Sequence, residues 1–455
     1  MVRRFITYLL LGFTIVFLMI PLTPEASSHT DLRLMEEDIA ELSNRLDKVE
    51  TKSILDRVII GGEFRTRMDY FRYKDTMTIG IKDDANTEDI WSNRLRLNLK
   101  VDITDDLVFH GRIACFKLWG ESNFDEIANN SNYPSIPDSE GNLHVERAYI
   151  DYRIPDLHLS FTCGRLPSSE GPPSGMRENR LRKATWPKAA GDIEMDGLIA
   201  SIYLDEWTDL ENSLIRILYI KVYQNWLEYR GVDAKDSWGP AIVFETQVPN
   251  IDNSLMILGH SRIITLRPLE GLPGMTVASI PDKQGGINLT LFHIEFNNIN
   301  EDGLDWFFTY GYAHFDPSSQ GTLFTTGLEL GIFGDNLSGN LGESKSGKIA
   351  HTGFRYELPI ENWKNPKIGF EYNHGSKYWA RFLNTGGGEL INKLMVNGDA
   401  YELYYIQPID KEKMFLRFGG IYMDFDYENP FIFYGSMTET DMTVTNAYLL
   451  LDVLF

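Results

Sequence analysis

Two different periods of apolar residues divide this chain. From Leu32 to Val49 the apolar positions Leu32, Met35, Ile39, Leu42, Leu46 and Val49 are spaced 3, 4, 3, 4, 3. That is an a/d heptad, and Glu36, Glu37, Asp38, Glu41, Arg45, Asp47 and Lys48 fill its other faces. So short a heptad run is marginal on its own, so it is expected to zip copies together only where a larger body holds them. The alternative is a single amphipathic helix lying on its own domain. At Arg57 the period drops to two. Val58, Ile60, Gly62, Phe64, Thr66, Met68 and Tyr70 alternate with Ile59, Gly61, Glu63, Arg65, Arg67 and Asp69. A strand with one apolar and one charged face suits either a soluble sandwich or a membrane barrel whose polar face meets the lumen.

The period of two continues to the end. Leu95, Leu97, Leu99 and Val101 oppose Arg94, Arg96, Asn98 and Lys100; Leu304, Trp306, Phe308 and Tyr310 repeat the pattern, as do Tyr401, Leu403 and Tyr405, and Met414, Leu416 and Phe418. Short polar turns are expected near 104–106, 153–156, 206–212, 249–253, 298–303, 359–366 and 409–413. Long connections are expected at 73–90, 119–142, 166–195, 224–238, 264–286, 316–343, 378–395 and 426–439. Seven short turns on one rim and eight long connections on the other predict sixteen strands, with eighteen if 321–333 hides another pair. That asymmetry is the one membrane barrels show. At the end of the chain Ala447, Leu449, Leu451, Val453 and Phe455 alternate with Asn446, Tyr448, Leu450, Asp452 and Leu454. An apolar every-second-residue strand stopping on Phe is the kind of C-terminal strand by which outer-membrane barrels are recognised for insertion. The expected fold is therefore all-β: one antiparallel transmembrane barrel over 57–455, preceded by a short periplasmic coiled-coil helix.

The N-terminus agrees with that address. Arg3 and Arg4 precede the apolar run Phe5 to Leu22, and Pro21, Pro24, Ala26, Ser27 and Ser28 follow. This predicts a signal peptide over 1–28, cleaved on export to the outer membrane of a Gram-negative cell, and a periplasmic segment over 29–56. An uncleaved anchor is the alternative, since the run is long enough to span a bilayer.

Composition narrows the class further. Lys+Arg 43 against Asp+Glu 65 leaves −22, or −23 once Arg3, Arg4 and Glu25 are removed with the leader. A surface this acidic repels phosphate backbones, so no nucleic-acid partner is expected. Phe 26, Tyr 22 and Trp 9, alongside Gly 38, suit many short strands with aromatic punctuation. Two cysteines argue against a disulfide framework, and alternation sends both Cys115 and Cys163 to the lipid-facing phase.

Little points to chemistry. GESKSGKI at 342–349 has the G-x-x-x-x-G-K spacing but carries Ile349 where a phosphate loop needs Ser or Thr, and it enters a strand. H-E-x-x-H, C-x-x-C and G-x-S-x-G are all missing from the sequence. No enzyme activity, cofactor or metal is expected. WSNRLRLNLKVDITDDLVFHGRIACFKLWGES (91–122), VERAYIDYRI (145–154), CGRLPSSEGPPS (163–174), RKATWP (182–187) and GDAYELYYIQPI (398–409) together resemble a bacterial barrel family catalogued as domain of unknown function 3373. The resemblance implies a porin-like outer-membrane protein with a periplasmic coiled coil. It brings no established substrate and no functional residues.

Charge placement supplies the candidate site. Arg65, Arg67, Arg94, Arg96, Arg112 and Arg147 fall on the inward phase, and the third long connection adds Arg177, Arg180, Arg182, Lys183 and Lys188. In general porins the third outer loop folds into the lumen and narrows it. Unpaired, such a ring favours anions; paired with Glu63, Asp69, Asp102, Asp151 and the loop acids, it stiffens the wall. Two functions follow: a channel for passive diffusion of small hydrophilic solutes with an anion preference, or a structural barrel whose coiled coil tethers the outer membrane to the cell wall or a periplasmic partner. The expected partners are outer-membrane lipid, the barrel-assembly machinery acting on Leu449, Leu451, Val453 and Phe455, and two further copies in a homotrimer.

Overall fold

The computed structural model describes residues 41–42, 57–78, 81–86, 89–119, 140–189, 191–192, 194–223, 237–264, 285–299, 301–317, 323–325, 328–330, 344–379, 389–410, 413–428 and 437–455. Glu41 and Leu42 are helical. The expected leader at 1–28 and the remainder of the coiled-coil segment at 29–56 lie outside the described residues.

Residues Val58–Phe455 form a unit of their own, built on one closed antiparallel sheet of sixteen strands. In chain order the strands are β1 (Val58–Thr78), β2 (Ile90–Asp102), β3 (Leu107–Leu118), β4 (Glu140–Ile154), β5 (Leu159–Leu166), β6 (Met195–Tyr203), β7 (Leu214–Tyr223) and β8 (Ser237–Thr246). The second half comprises β9 (Ser254–Ile264), β10 (Gly285–Ile299), β11 (Leu304–Pro317), β12 (Lys345–Glu357), β13 (Lys367–Gly375), β14 (Asn397–Asp410), β15 (Met414–Glu428) and β16 (Thr443–Leu454). Each strand pairs with its sequence neighbours, and β16 returns to β1 in a register running from Glu63 opposite Leu454 to Lys74 opposite Thr443. Closure leaves no unpaired sheet edge facing lipid, where each unsatisfied backbone group costs several kcal/mol.

The seam is finished by the last residue. Phe455 N–H donates to Gly62 O at 3.0 Å and Gly62 N–H to Phe455 O at 2.6 Å. A Cβ on Gly62 would stand 2.4 Å from the Phe455 ring, so the terminal aromatic occupies the space that a side chain on β1 would need there.

Alternation sorts the side chains as the sequence predicts. Phe64, Leu97, Phe161, Leu198, Tyr401, Leu403, Phe418 and Leu449 face outward and are exposed, as lipid contact requires, while Glu63, Arg65, Arg67 and Asp69 on β1 are buried inside. The short turns use residues that tolerate positive φ: Asn212, Asn250, Asn253, Asn298 and Asn365 all adopt it.

One of these expectations changes. The first long connection, 73–90, is largely strand: β1 runs to Thr78 and pairs with a short strand, Ile81–Asn86. Its polar run reads as a loop, yet a hairpin rising above the membrane needs no apolar face. The stretch 321–333 holds Leu323–Thr325 and Leu328–Leu330, which pair only with each other in a separate sheet, so the count is sixteen and not eighteen. Cys115 on β3 and Cys163 on β5 are free, and β4 lies between their strands.

The interior is the largest departure from the sequence pattern. Phe71, Phe116, Ile406, Phe415, Ile421, Met423, Phe425 and Leu450 all turn inward, where they form a buried apolar cluster with Leu390, Ile391 and Val396. A core of this kind belongs to a globular protein, and here the barrel wall is one side of it.

Candidate functional site

The connection between β5 and β6, residues 167–194, crosses the lumen. Its one-turn helix Ser174–Arg177 follows the Pro172–Pro173 pair, which already turns, with Pro173 at φ −92° and ψ 24°. Ser169, Glu170, Met176, Ala189 and Asp192 are buried. Ion pairs and hydrogen bonds tie the segment to β1, β2, β3, β8, β12 and β14, and so to walls on opposite sides.

Every basic residue singled out in the sequence has a carboxylate partner. On the wall, Arg65 pairs with Asp452 at 2.7 Å and with Glu178. Arg67 pairs with Asp69 at 2.7 Å and Glu389 at 3.1 Å, and Arg94 with Glu63 at 3.2 Å. Arg96 meets Glu146 and Glu170, both at 2.8 Å. Arg112 meets Glu170 at 2.5 Å, and Arg147 reaches Glu170 at 3.3 Å while donating to the Ser169 carbonyl at 2.8 Å. On the loop, Arg177 pairs with Glu389 and, at 2.7 Å, Glu402. Arg180 pairs with Glu63 and Glu178, Arg182 with Glu245, Lys183 with Glu63 at 2.9 Å, and Lys188 with Asp192 at 3.4 Å.

Glu170 is the hub of this network. Burial alone would raise its carboxyl, but Arg96 and Arg112 overcome that and hold it well below the usual carboxylate range. Burial pulls the Lys183 ammonium down to about 8. Burial also opposes the charge on Lys188, yet Asp192 outweighs it and the ammonium is raised.

Two parts of the network escape the sequence pattern. Glu146 and Arg147 are adjacent, yet both are buried in the lumen, because a β-bulge intervenes: Arg112 faces Arg147 while Ile113 faces Val145. Strict alternation sends Glu146 to lipid; two charges in succession inside a strand are the signal that could have revealed the bulge. The second part is the segment Glu389–Val396. It contributes Lys393, which bridges Glu371 and Glu402, and Glu389, which meets Arg67, Arg177 and Arg417. Leu390, Ile391 and Val396 join the apolar cluster. Expected as an outer connection, it is instead buried against the interior wall, with Leu-Ile-Asn-Lys-Leu-Met-Val (390–396) as its apolar signature.

Across from this filled half lies a cavity of about 620 Å³. Asp105, Asp106 and Arg153 line it at the short-turn rim, while Ile220, Gly239 and Ile263 line it close to the opposite strand ends. Its floor and walls are β2 to β10, and Trp186 of the crossing loop is its roof. Trp186 sits against Gly259 of β9, where a Cβ would stand 2.9 Å from the ring.

One set of metal-type ligands converges among the described residues: His144, Glu146 and Glu194, with ligand atoms within 4.8 Å of one another. Arg96 already holds Glu146 and Arg165 holds Glu194 at 2.8 Å, so their charges are met without an ion.

A closed sixteen-strand antiparallel barrel, apolar outside, with its third long connection folded into a charged lumen, is a porin-like outer-membrane β-barrel. The profile of the family described as protein of unknown function, DUF3373, matches residues 84–239 and 277–453, and the chain belongs to that family. No curated protein matches it in sequence. Among solved structures, Pseudomonas putida OprB is similar in fold at TM-score 0.50 and 14% identity, covering 89% of this chain and 96% of that one. The Acinetobacter baumannii outer-membrane channel DcaP scores 0.46 at 13% identity (88% and 97% covered), and Salmonella typhi OmpF, solved with daunomycin, 0.47 at 10% (88% and 97%).

Proposed function

We propose that this barrel is a passive diffusion channel for small hydrophilic solutes. The observation that carries the reading is the 620 Å³ cavity, whose lining runs from the short-turn rim to residues beside the opposite strand ends. An ion or small solute following that wall meets side chains of both charges and no covalent chemistry.

The lumen also supports a weak anion preference. Arg65, Arg67, Arg94, Arg96, Arg112, Arg147, Arg177, Arg180, Lys183, Lys188, Lys393 and Arg417 face Glu63, Asp69, Glu146, Glu170, Glu178, Asp192, Glu371, Glu389, Glu402 and Asp452. Glu245, paired with Arg182 and Arg216, and Asp305, paired with Arg355, extend the same network, so cations and carboxylates come close to balance in the lumen of a chain whose overall charge is −22. Rim acids are screened by salt over about 8 Å, whereas charges in a narrow low-dielectric passage are not. Pairing keeps the preference weak, because each bound guanidinium contributes little field.

Planar-bilayer recording tests the channel directly: a stable single-channel current with a reversal potential displaced modestly toward the anion is expected, and a silent reconstituted barrel would refute the reading. The filled half of the lumen favours a second reading, a structural barrel whose 29–56 segment tethers the outer membrane to the wall or a periplasmic partner. A silent barrel would favour that one. Either function accommodates a homotrimer zipped through Leu32, Met35, Ile39, Leu42, Leu46 and Val49, and recognition of the Phe455 strand by the assembly machinery.

A further inference from the structure

The cavity has two unlike regions. Ile199 on β6, Leu218 and Ile220 on β7, and Ile263 on β9 all point inward and line it. They are only half-buried, so their apolar surface meets the cavity and is not consumed by packing against the loop. Val243 on β8 also lines the cavity but is buried at 1% exposure, so the open apolar surface is that of the other four. The Trp186 ring extends the same apolar surface across the roof. Beside it, toward the short-turn ends of the same wall, are hydrogen-bonding groups: Tyr149 and Asp151 on β4, Ser160 and Thr162 on β5, and Ser201 and Tyr203 on β6. Ser160 and Tyr203 hydroxyls lie 3.2 Å apart and Thr162 donates to Asp151 at 2.5 Å, so this region is an ordered polar surface.

The charges in the lining nearly cancel. Lys100, Arg153 and Arg216 stand against Asp102, Asp105, Asp106 and Asp151, and Lys100 is paired with Asp102 at 2.9 Å. A lane meant for simple ions has no use for an apolar wall: water gains nothing there, and the aliphatic surface loses by being wet. The surface is matched by a solute with an apolar ring or chain at one end and hydrogen-bonding groups at the other, carrying no net charge.

We infer that the half-lumen lined by Ile199, Leu218, Ile220, Ile263 and Trp186 is a selectivity surface for small amphipathic solutes that are neutral or zwitterionic. The inference rests on the channel reading and specifies its substrate class. Transient contact with the apolar wall raises the local concentration of such a solute in the lane and speeds its passage over that of a polar solute of equal size.

Liposome swelling with purified full-length protein, using L-phenylalanine and L-glutamine as the paired probes and potassium chloride conductance as the reference, tests this. In the parent protein phenylalanine is expected to enter at least about threefold faster than glutamine. Leu218→Asn with Ile220→Asn should bring the ratio near one while chloride conductance stays within about twofold. Leu218→Met with Ile220→Val should preserve the ratio, which separates loss of the apolar surface from a folding defect. A parent ratio of one with normal conductance overturns the inference and leaves the channel standing, as does an unchanged ratio in the Asn pair. A parent with no conductance overturns the channel reading and this inference with it.

Discussion

Inside the same barrel, the wall of β1 to β3 and β12 to β16 and the wall of β6 to β9 are finished in opposite ways. The first carries charged and large apolar side chains alike, and two inward segments, 167–194 and Glu389–Val396, cover nearly all of them; Arg96, Arg417 and Ile406 are wholly buried. The second has smaller inward groups, with Ile199, Leu218 and Ile220 half-uncovered beside a cavity. A lumen-facing position is therefore not one environment. Where the connecting chain returns to meet the wall, the interior becomes a packed, ion-paired core; where it passes over as a roof, the interior stays hollow. The difference lies in the connections.

The strongest way to break that contrast is to remove the hub of the filled side. In Glu170→Gln, Arg96, Arg112 and Arg147 lose a shared carboxylate, and uncompensated buried charges of this kind cost about 3–5 kcal/mol. The crossing loop should undock, giving new protease cleavage within 167–194 and a larger single-channel conductance with stronger anion selectivity. A protected loop and an unchanged current would mean that its other pairs suffice.

Lys393→Met should act on the second segment with a smaller effect, about 3 kcal/mol, since Glu402 keeps Arg177 and Glu371 keeps His351 at 3.0 Å. Cleavage within 389–396 and a lowered thermal midpoint are expected, while the phenylalanine-to-glutamine ratio stays the same. A change in that ratio would show that the two halves are coupled.

Raising pH from 7 to 9 sharpens the comparison without mutation. The Lys183 ammonium is held down to about 8, against an ordinary 10.5. Between those values the undocked loop holds more protons than the docked one, so docking strengthens as pH rises through that window and is weaker below it. The lumen simultaneously loses one positive charge, and the reversal potential should drift toward cations. Lys183→Arg should abolish the drift, because a guanidinium keeps its proton throughout; a persisting drift would assign it to another group.

The smallest effect belongs to the hollow side. Lys100 and Asp102 pair at 2.9 Å with about two-fifths of each side chain exposed, and such pairs are worth about 0.2–1 kcal/mol. Lys100→Gln should leave stability to urea within about 0.5 kcal/mol of the parent. A loss several times larger would mean that the cavity wall is as tightly interlocked as the filled side.

How much of this was legible beforehand can be argued from particular residues. Alternation at Val58–Tyr70, the turn-and-loop rhythm and the Phe455 strand determine the barrel and the inward direction of Arg65, Arg67, Arg94, Arg96 and Arg112, because lipid tolerates only a closed sheet with an apolar outer face, and they leave only sixteen or eighteen as the strand number. The pairing of those arginines was beyond its reach. Glu170, Glu178 and Glu389 lie far along the chain from Arg96, Arg65 and Arg67, and only folded connections bring them within 4 Å. The bulge at Glu146 reverses a side chain by one residue of register, which no period can anticipate. Phe116, Ile406 and Phe425 read as exceptions to a polar inner face until Leu390, Ile391 and Val396 are seen to cover them. Local period decides which face a residue takes, since each strand meets lipid on its own terms. What that face then touches is decided by segments distant in sequence, whose return to the wall is a property of the assembled barrel alone.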